Sequence, residues 1–154
     1  MAIDIDWRVD DEFRILSNLA DKRFVFDGEH IRSLECVLQS IKIVDADEQA
    51  KFWQQPGFWC KKMGRKLPWQ GSRLLWWKGV PMDRDGEEYQ AFLDRLYGAV
   101  FTQHEKFREA LVLSGDQELT HSIGSTDPEF TILTQEEFLS RLRMLRDLAI
   151  KKPS

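Results

Sequence analysis

The sequence has few cysteines, no long apolar run and no excess of positive charge, and each shortage excludes a class of protein. Two cysteines, Cys36 and Cys60, are too few for a disulfide framework or a zinc site, so we expect a reducing, cytoplasmic setting. No apolar stretch approaches the ~20 residues that cross a bilayer, and the acidic, interrupted N-terminus differs from a secretory signal. The net charge of −4 disfavours a non-specific grip on long nucleic acid, but it permits recognition of one nucleotide in a pocket.

Aromatic side chains, in contrast, are abundant, with six Trp and ten Phe. Hydrophobic residues make up 42% and charged residues 31% of the 154-residue chain, which is ordinary for a globular protein. We therefore expect a single domain over residues 1–154, with a core that holds many of the rings. The remaining Trp side chains are candidates for a surface on which a ligand ring can stack.

Local patterns predict a mainly α fold with a small β-hairpin component. The alternating stretch "FVFDGEHI" contains an Asp-Gly turn and predicts a hairpin over residues 23–32. Residues 57–86 are rich in Gly, Pro, Trp and basic residues and lack periodicity, which predicts a long irregular segment. Thr134 and Glu137 form a predicted capping box at the start of the last helix. Helical spacing predicts helices over 33–44, 45–55, 87–103, 105–114 and 134–150.

The stretch "SLECVLQSIK", residues 33–42, carries two stripes on the first predicted helix. One stripe is apolar and predicts a buried face. The second consists of Glu35, Gln39 and Lys42, an acid, an amide and an amine at i, i+4 and i+7. Taken alone, such a stripe is more often a solvated face than a site of chemistry.

The sequence around this stripe resembles the NADAR family, also called the YbiA-like family. The resemblance is strongest over residues 15–43 and extends along nearly the whole chain. Cys36 departs from the family pattern, which commonly has His there, and "DPEFTILTQEEF" lacks the family's late Trp-Gly and glycine-rich segment. The matching positions are Ser17, Asn18, Asp27, Gly28, Ser33, Glu35, Gln39, Lys42, Gly64, Arg65, Asp127, Leu145 and Arg146.

The resemblance implies a YbiA-like α+β domain and an N-glycosidase that hydrolyses the bond between an exocyclic amine and ribose C1. The implied substrates are ADP-ribosylated guanine, as a base or nucleotide or within DNA, and ribosylaminopyrimidine intermediates of riboflavin synthesis. We expect no metal, no cofactor and no membrane association. The resemblance also favours a catalytic reading of the polar stripe over the solvated one.

Breaking a C1–N bond requires a proton for the leaving nitrogen and stabilisation of a cationic C1. Glu35 is the predicted general acid, because burial would raise its pKa, although the helix N-terminus favours the carboxylate. Two mechanisms stay open beyond that step. Asp127 could assist water as a second carboxylate, or Lys42 could attack C1 of the opened ribose and form a Schiff base.

Substrate binding is predicted for four side chains. Gln39 would orient the carboxyl group or a ribose hydroxyl, and Asn18 would bind ribose hydroxyls or the base edge. Arg65, within the basic run "KKMGRK", is the candidate phosphate ligand. Trp77 is the first candidate for stacking on the base, with Trp69 and Trp76 as alternatives.

A second hypothesis is that the protein is a binding protein rather than an enzyme. The missing glycine-rich segment after Asp127 is compatible with a non-catalytic relative that binds a nucleotide or a protein.

We read His121 as structural and Cys36 as a packing residue rather than a nucleophile.

Overall fold

The structure is a computed structural model that describes residues 2–151 of the chain. Its helices confirm the mainly α character predicted from the sequence, and the capping box of the last helix is present. The Thr134 amide donates to Glu137 Oε1 over 2.8 Å, and the Glu137 amide donates to Thr134 Oγ1 over 3.1 Å. The helices of the described residues are α1 (Leu34–Ser40), α2 (Ala46–Ala50), α3 (Gly57–Gly64), α4 (Glu87–Gln103), α5 (Glu105–Ser114) and α6 (Gln135–Lys151).

Six short strands form three two-stranded sheets within the described residues. The predicted hairpin is confirmed: Asp27 and Gly28 both have positive φ, 47° and 83°, as a two-residue hairpin turn requires. A second hairpin turns in the same way at Lys78 and Gly79. The strand pairs are β1 (Ala2–Asp4) with β6 (Glu118–Thr120), parallel, and β2 (Phe24–Phe26) with β3 (Glu29–Ile31) and β4 (Leu74–Trp77) with β5 (Val80–Asp83), both antiparallel.

The prediction of a long irregular segment over residues 57–86 is wrong. This segment contains α3 and the β4–β5 hairpin. Pro56 precedes α3 as its N-cap residue, since its fixed φ of −58° suits a helix start. The run of apolar residues in β4 hides the alternation that marks a strand. The Pro in β5 also argues against a strand, because Pro is compatible only with an edge or the end of a ladder.

Helix α1 lies at the centre of the molecule and is buried on every side. All seven of its residues are buried, including Glu35, Gln39 and Ser40. Its main helical partner is α3, and β3 packs beside it. A helix that is buried all round cannot present a solvated stripe, so the polar side chains of α1 lie inside the protein.

The first helix is also shorter than the predicted range of 33–44. After Ser40 the chain tightens, because the Lys42 amide donates to the Gln39 carbonyl and the Ile43 amide to the Ser40 carbonyl, three residues back in each case. Asp45 then caps α2 by accepting hydrogen bonds from the amides of Asp47 and Glu48. Lys42 therefore follows the end of α1 rather than lying on the helix itself.

Candidate active site

Glu35 and Gln39 form a buried acid–amide pair on α1. Glu35 is 7% exposed and Gln39 is 8% exposed. Gln39 Nε2 donates to Glu35 Oε2 over 2.6 Å. Burial raises the pKa of Glu35, and the Gln39 hydrogen bond and the charges of Lys61 and Lys42 oppose this rise. A carboxyl group with a raised pKa keeps its proton closer to neutral pH, as a general acid requires.

The other end of the Gln39 amide lies against α3. Gln39 Oε1 is buried and has no hydrogen-bond partner among the described residues. A Cβ atom on Gly64 would lie only 1.9 Å from this oxygen, so glycine is required where the two helices meet. The free carbonyl gives Gln39 a second role, because an amide turned by 180° would accept a hydrogen bond from protonated Glu35.

Glu35 and Gln39 open onto a cavity of about 330 Å³, here called the acid cavity. Asn18 forms part of its wall, and its backbone carbonyl accepts a 2.9 Å hydrogen bond from the Glu35 amide. Tyr97 fixes the Asn18 side chain by donating its hydroxyl to Oδ1 over 2.7 Å. The structure therefore brings Asn18, Glu35 and Gln39 together. Further wall residues are Leu38, Lys61, Arg65, His121 and the segment 130–134.

Lys42 lies in an adjoining cavity of about 290 Å³, here called the basic cavity. Its amine donates to the Gly64 carbonyl over 3.0 Å. Burial lowers the pKa of Lys42 to about 8, against the opposing charge of Glu35. Arg65 and Phe130 line both cavities, and Lys66 and Trp69 complete much of the basic one. The Glu35 carboxyl and the Lys42 amine thus face two neighbouring chambers with a shared rim.

The structure places Asp127 outside both cavities. Its carboxylate accepts a 2.9 Å hydrogen bond from the Glu129 amide, and its backbone carbonyl accepts from Phe130 and Thr131. This is the arrangement of a turn cap, which the Asp-Pro sequence favours. Glu35 has no second carboxylate beside it from this part of the chain.

Trp77 lies in the core rather than on the wall of either cavity. Its ring packs against Phe26, Trp53 and Phe92, and its indole Nε1 donates to Asp27 Oδ2 over 2.9 Å. Of the two alternatives, only Trp69 lines the basic cavity, where the Arg73 guanidinium lies 5.2 Å from its ring centroid.

Two further side chains line the cavities, although the sequence analysis did not predict them as site residues. Phe130 is 74% exposed and stands on the rim shared by both cavities. His121 lines the acid cavity, and its Nδ1 lies 2.9 Å from the Ile5 carbonyl oxygen. Because a carbonyl oxygen only accepts hydrogen bonds, Nδ1 carries a proton in this contact. In the sequence, Phe130 is an apolar residue in a stretch without periodicity, and no other local pattern distinguishes it.

Within residues 2–151, no helix is long and apolar enough to cross a membrane. The same residues contain no group of three His, Cys, Asp or Glu side chains placed to hold a metal ion.

Comparison with known proteins places the chain in a family. Residues 13–147 match the model of the family described as Bacteriophage protein GP30.3. The chain belongs to the bacteriophage GP30.3 family. It is 34% identical over 134 residues to the "Uncharacterized 17.1 kDa protein in Gp30-rIII intergenic region" of Enterobacteria phage T4, covering 86% of this chain and 88% of the T4 protein.

The fold is similar to the NMR structure of the E. coli protein YbiA. The TM-score is 0.64 at 19% sequence identity, and the match covers 97% of this chain and 86% of YbiA. This similarity confirms the YbiA-like α+β fold predicted from the sequence.

Proposed function

We propose that this member of the GP30.3 family is an N-glycosidase that hydrolyses the bond between an exocyclic amine and ribose C1. The observation that carries the proposal is the buried Glu35 carboxyl, which is held by Gln39 and opens onto a cavity lined by polar side chains. The proposed substrates are ADP-ribosylated guanine, alone or within DNA, and ribosylaminopyrimidines.

In the proposed reaction, Glu35 gives its proton to the leaving nitrogen. The C1–N bond breaks, its electron pair stays with the nitrogen, and positive charge develops on the ribose C1. Water then adds to C1 and returns a proton to the Glu35 carboxylate. Gln39 supports both states of Glu35, because its amide can donate to a carboxylate or accept from a carboxylic acid.

The positions of the cations suit a phosphate beside the ribose. Arg65 lies on the rim between the acid and basic cavities, and Lys42 and Lys66 lie in the basic cavity. A guanidinium binds a phosphate through two parallel hydrogen bonds, and the two amines add charge. The exposed ring of Phe130 can stack on a planar part of the substrate at the same rim.

Lys42 also supports the Schiff-base route. An amine with a pKa lowered to about 8 is largely uncharged at mildly alkaline pH, as a nucleophile must be. In this route the ribose opens, the Lys42 nitrogen bonds to C1 as the leaving amine departs, and water later hydrolyses the imine.

A product assay tests the proposal. Wild type and Glu35→Gln are incubated with ADP-ribosylated guanine in a short DNA and with a ribosylaminopyrimidine, and chromatography detects released ADP-ribose or ribose phosphate. We expect release by wild type and a loss of at least about 100-fold in Glu35→Gln, the contribution typical of a general acid. Glu109→Gln, an exposed glutamate on α5, is the matched control and should retain activity.

The same incubation with borohydride separates the two routes. A reduced adduct on Lys42 supports the Schiff base, and turnover without any adduct contradicts it.

The second candidate function is a non-catalytic relative that binds a nucleotide or a protein, favoured by the position of Asp127 away from Glu35. Binding by wild type without release of product from either substrate would support that alternative and refute the N-glycosidase.

A further inference from the structure

A third cavity, here called the aromatic cavity, shares Leu19 with the acid cavity and no lining residue with the basic cavity. Its volume is about 440 Å³, and its wall carries the rings of Trp7 and Phe58. The two ring centroids are 5.9 Å apart at an interplanar angle of 47°. Phe58 is 58% exposed, although it stands next to this concave surface. A large exposed ring beside a cavity is available to a ligand rather than used by the core.

One face of α3 connects the three cavities. Phe58, Lys61 and Arg65 follow one another at spacings of three and four, so they lie along the same side of the helix. Phe58 lines the aromatic cavity, Lys61 the acid cavity, and Arg65 the rim of the acid and basic cavities. The seven residue-to-residue steps from Phe58 to Arg65 correspond to about 10 Å along the helix axis.

The loop that precedes β2 contributes to the walls of both the acid cavity and the aromatic cavity. Leu19 lines both the acid cavity and the aromatic cavity. Gly57, at the start of α3, packs so closely against this loop that a Cβ atom would lie 2.6 Å from the Leu19 carbonyl oxygen. The aromatic cavity and the acid cavity therefore meet at Leu19, where the start of α3 packs tightly against this loop.

From this arrangement we infer that Trp7 and Phe58 bind the planar ring of the leaving amine. The inference rests on the proposed function, and it fixes the direction of the substrate along α3. The leaving ring lies at the Phe58 end, the scissile bond lies beside Glu35, and the phosphate lies at the Arg65 end. Arg14 and Asp21 line the same cavity and offer charged groups to the polar edge of the ring.

This direction restricts the substrate class. A leaving amine on a planar nitrogen heterocycle gains stacking energy in the aromatic cavity, whereas an aliphatic amine or ammonia gains none. The protein should therefore act on ribosylated aromatic amines.

Ligand binding measured by NMR tests the inference without any need for turnover. The probes are 2-aminopyrimidine, a soluble planar ring with an exocyclic amine, and ribose 5-phosphate. We expect 2-aminopyrimidine to shift the indole N–H resonance of Trp7 in the wild type. Phe58→Ala should weaken this binding about tenfold, the loss expected from one base–aromatic stack, and should leave ribose 5-phosphate binding unchanged.

Leu113→Ala is the matched control, because Leu113 is also 58% exposed but lies on α5, which contributes to none of the three cavities. It should bind both probes as the wild type does. Absence of the Trp7 shift, or an unchanged affinity for 2-aminopyrimidine in Phe58→Ala, would overturn the inference. Ring binding by a protein without hydrolytic activity would refute the N-glycosidase and leave the ring site standing, and the reverse result would refute the ring site alone.

Discussion

Glu35 is an acidic side chain kept away from water in the middle of a protein. The ordinary cost of burying a carboxylate is avoided in part by the Gln39 hydrogen bond and in part by retaining the proton. Such a residue weakens the fold whenever it is ionised. A buried carboxyl group therefore leaves a measurable signature in the pH dependence of stability.

The first prediction at this scale concerns that signature. The pKa of Glu35 is raised above the ordinary value of 4.5, so the folded state binds the proton more tightly than the unfolded state. The stability contributed by the protonated form is present below about pH 4.5 and is lost as the pH rises through the raised pKa. Over that range the wild type should lose up to about 1.4 kcal/mol per pH unit relative to Glu35→Gln.

Urea unfolding of the two proteins at several pH values measures this difference. The activity should fall only as the pH passes the raised pKa, at the upper end of this range, since a general acid works only while it holds its proton. A constant difference in unfolding free energy between the two proteins from pH 4 to pH 8 would contradict the assignment.

Among the helices, the contact between α1 and α3 decides the geometry of the site. Gly64 is the point of closest approach, because its backbone touches the Gln39 side chain and its carbonyl accepts the Lys42 amine. One residue of α3 thus positions an amide in the acid cavity and an amine in the basic cavity.

The prediction at this scale is that Gly64→Ala separates the two helices. The new Cβ would lie 1.9 Å from Gln39 Oε1 and 2.8 Å from Gln39 Cβ, so a rotation of the amide alone cannot relieve the clash. We expect a loss of about 1–3 kcal/mol in the free energy of unfolding and a larger proportional loss of activity.

Gly98→Ala provides the control, because an added Cβ at Gly98 in α4 meets nothing within 4 Å. It should stabilise the helix by roughly 0.5–1 kcal/mol. Equal effects of the two substitutions in urea unfolding would show that helix propensity, rather than contact with Gln39, governs Gly64.

The sequence predicts those parts of the site whose contacts join residues close together in the chain. Glu35 and Gln39 are four residues apart on one helix, so their pairing was visible in the sequence. The sequence also placed Lys42 on the same stripe, but Lys42 follows the end of α1 and lines the basic cavity instead. The position of Asp127 depends on a turn packed against distant parts of the chain, which no local pattern encodes.

At the scale of the whole molecule, a buried ion pair joins distant parts of the fold. The guanidinium of Arg84 is almost wholly buried and donates to both carboxylate oxygens of Glu137, over 2.7 and 3.0 Å. It also donates to the Thr131 carbonyl and lies 5.0 Å from the centroid of the Tyr89 ring. Arg84 therefore fixes α4, α6 and the segment that closes the acid cavity.

The corresponding prediction is a large loss of stability in Arg84→Met. Removing the guanidinium leaves the Glu137 carboxylate without its main partner, which typically costs 3–5 kcal/mol. Arg143→Met is the control, since the Arg143–Glu136 pair is exposed and should change the free energy of unfolding by less than about 0.5 kcal/mol. Thermal unfolding measures both, and comparable losses would contradict a special role for Arg84.

The parallel pairing of β1 with β6 has a consequence for the order in which the protein is assembled. Residues 2–4 leave the ribosome long before their partners, residues 118–120, and the contact between Ile5 and His121 also spans 116 residues. Contacts at such separations form slowly, because a long loop must close first. During synthesis, β1 stays unpaired until β6 has been made. The wall of the acid cavity that contains His121 also forms only when the chain is nearly complete. The newly made protein should therefore acquire its helices before its activity.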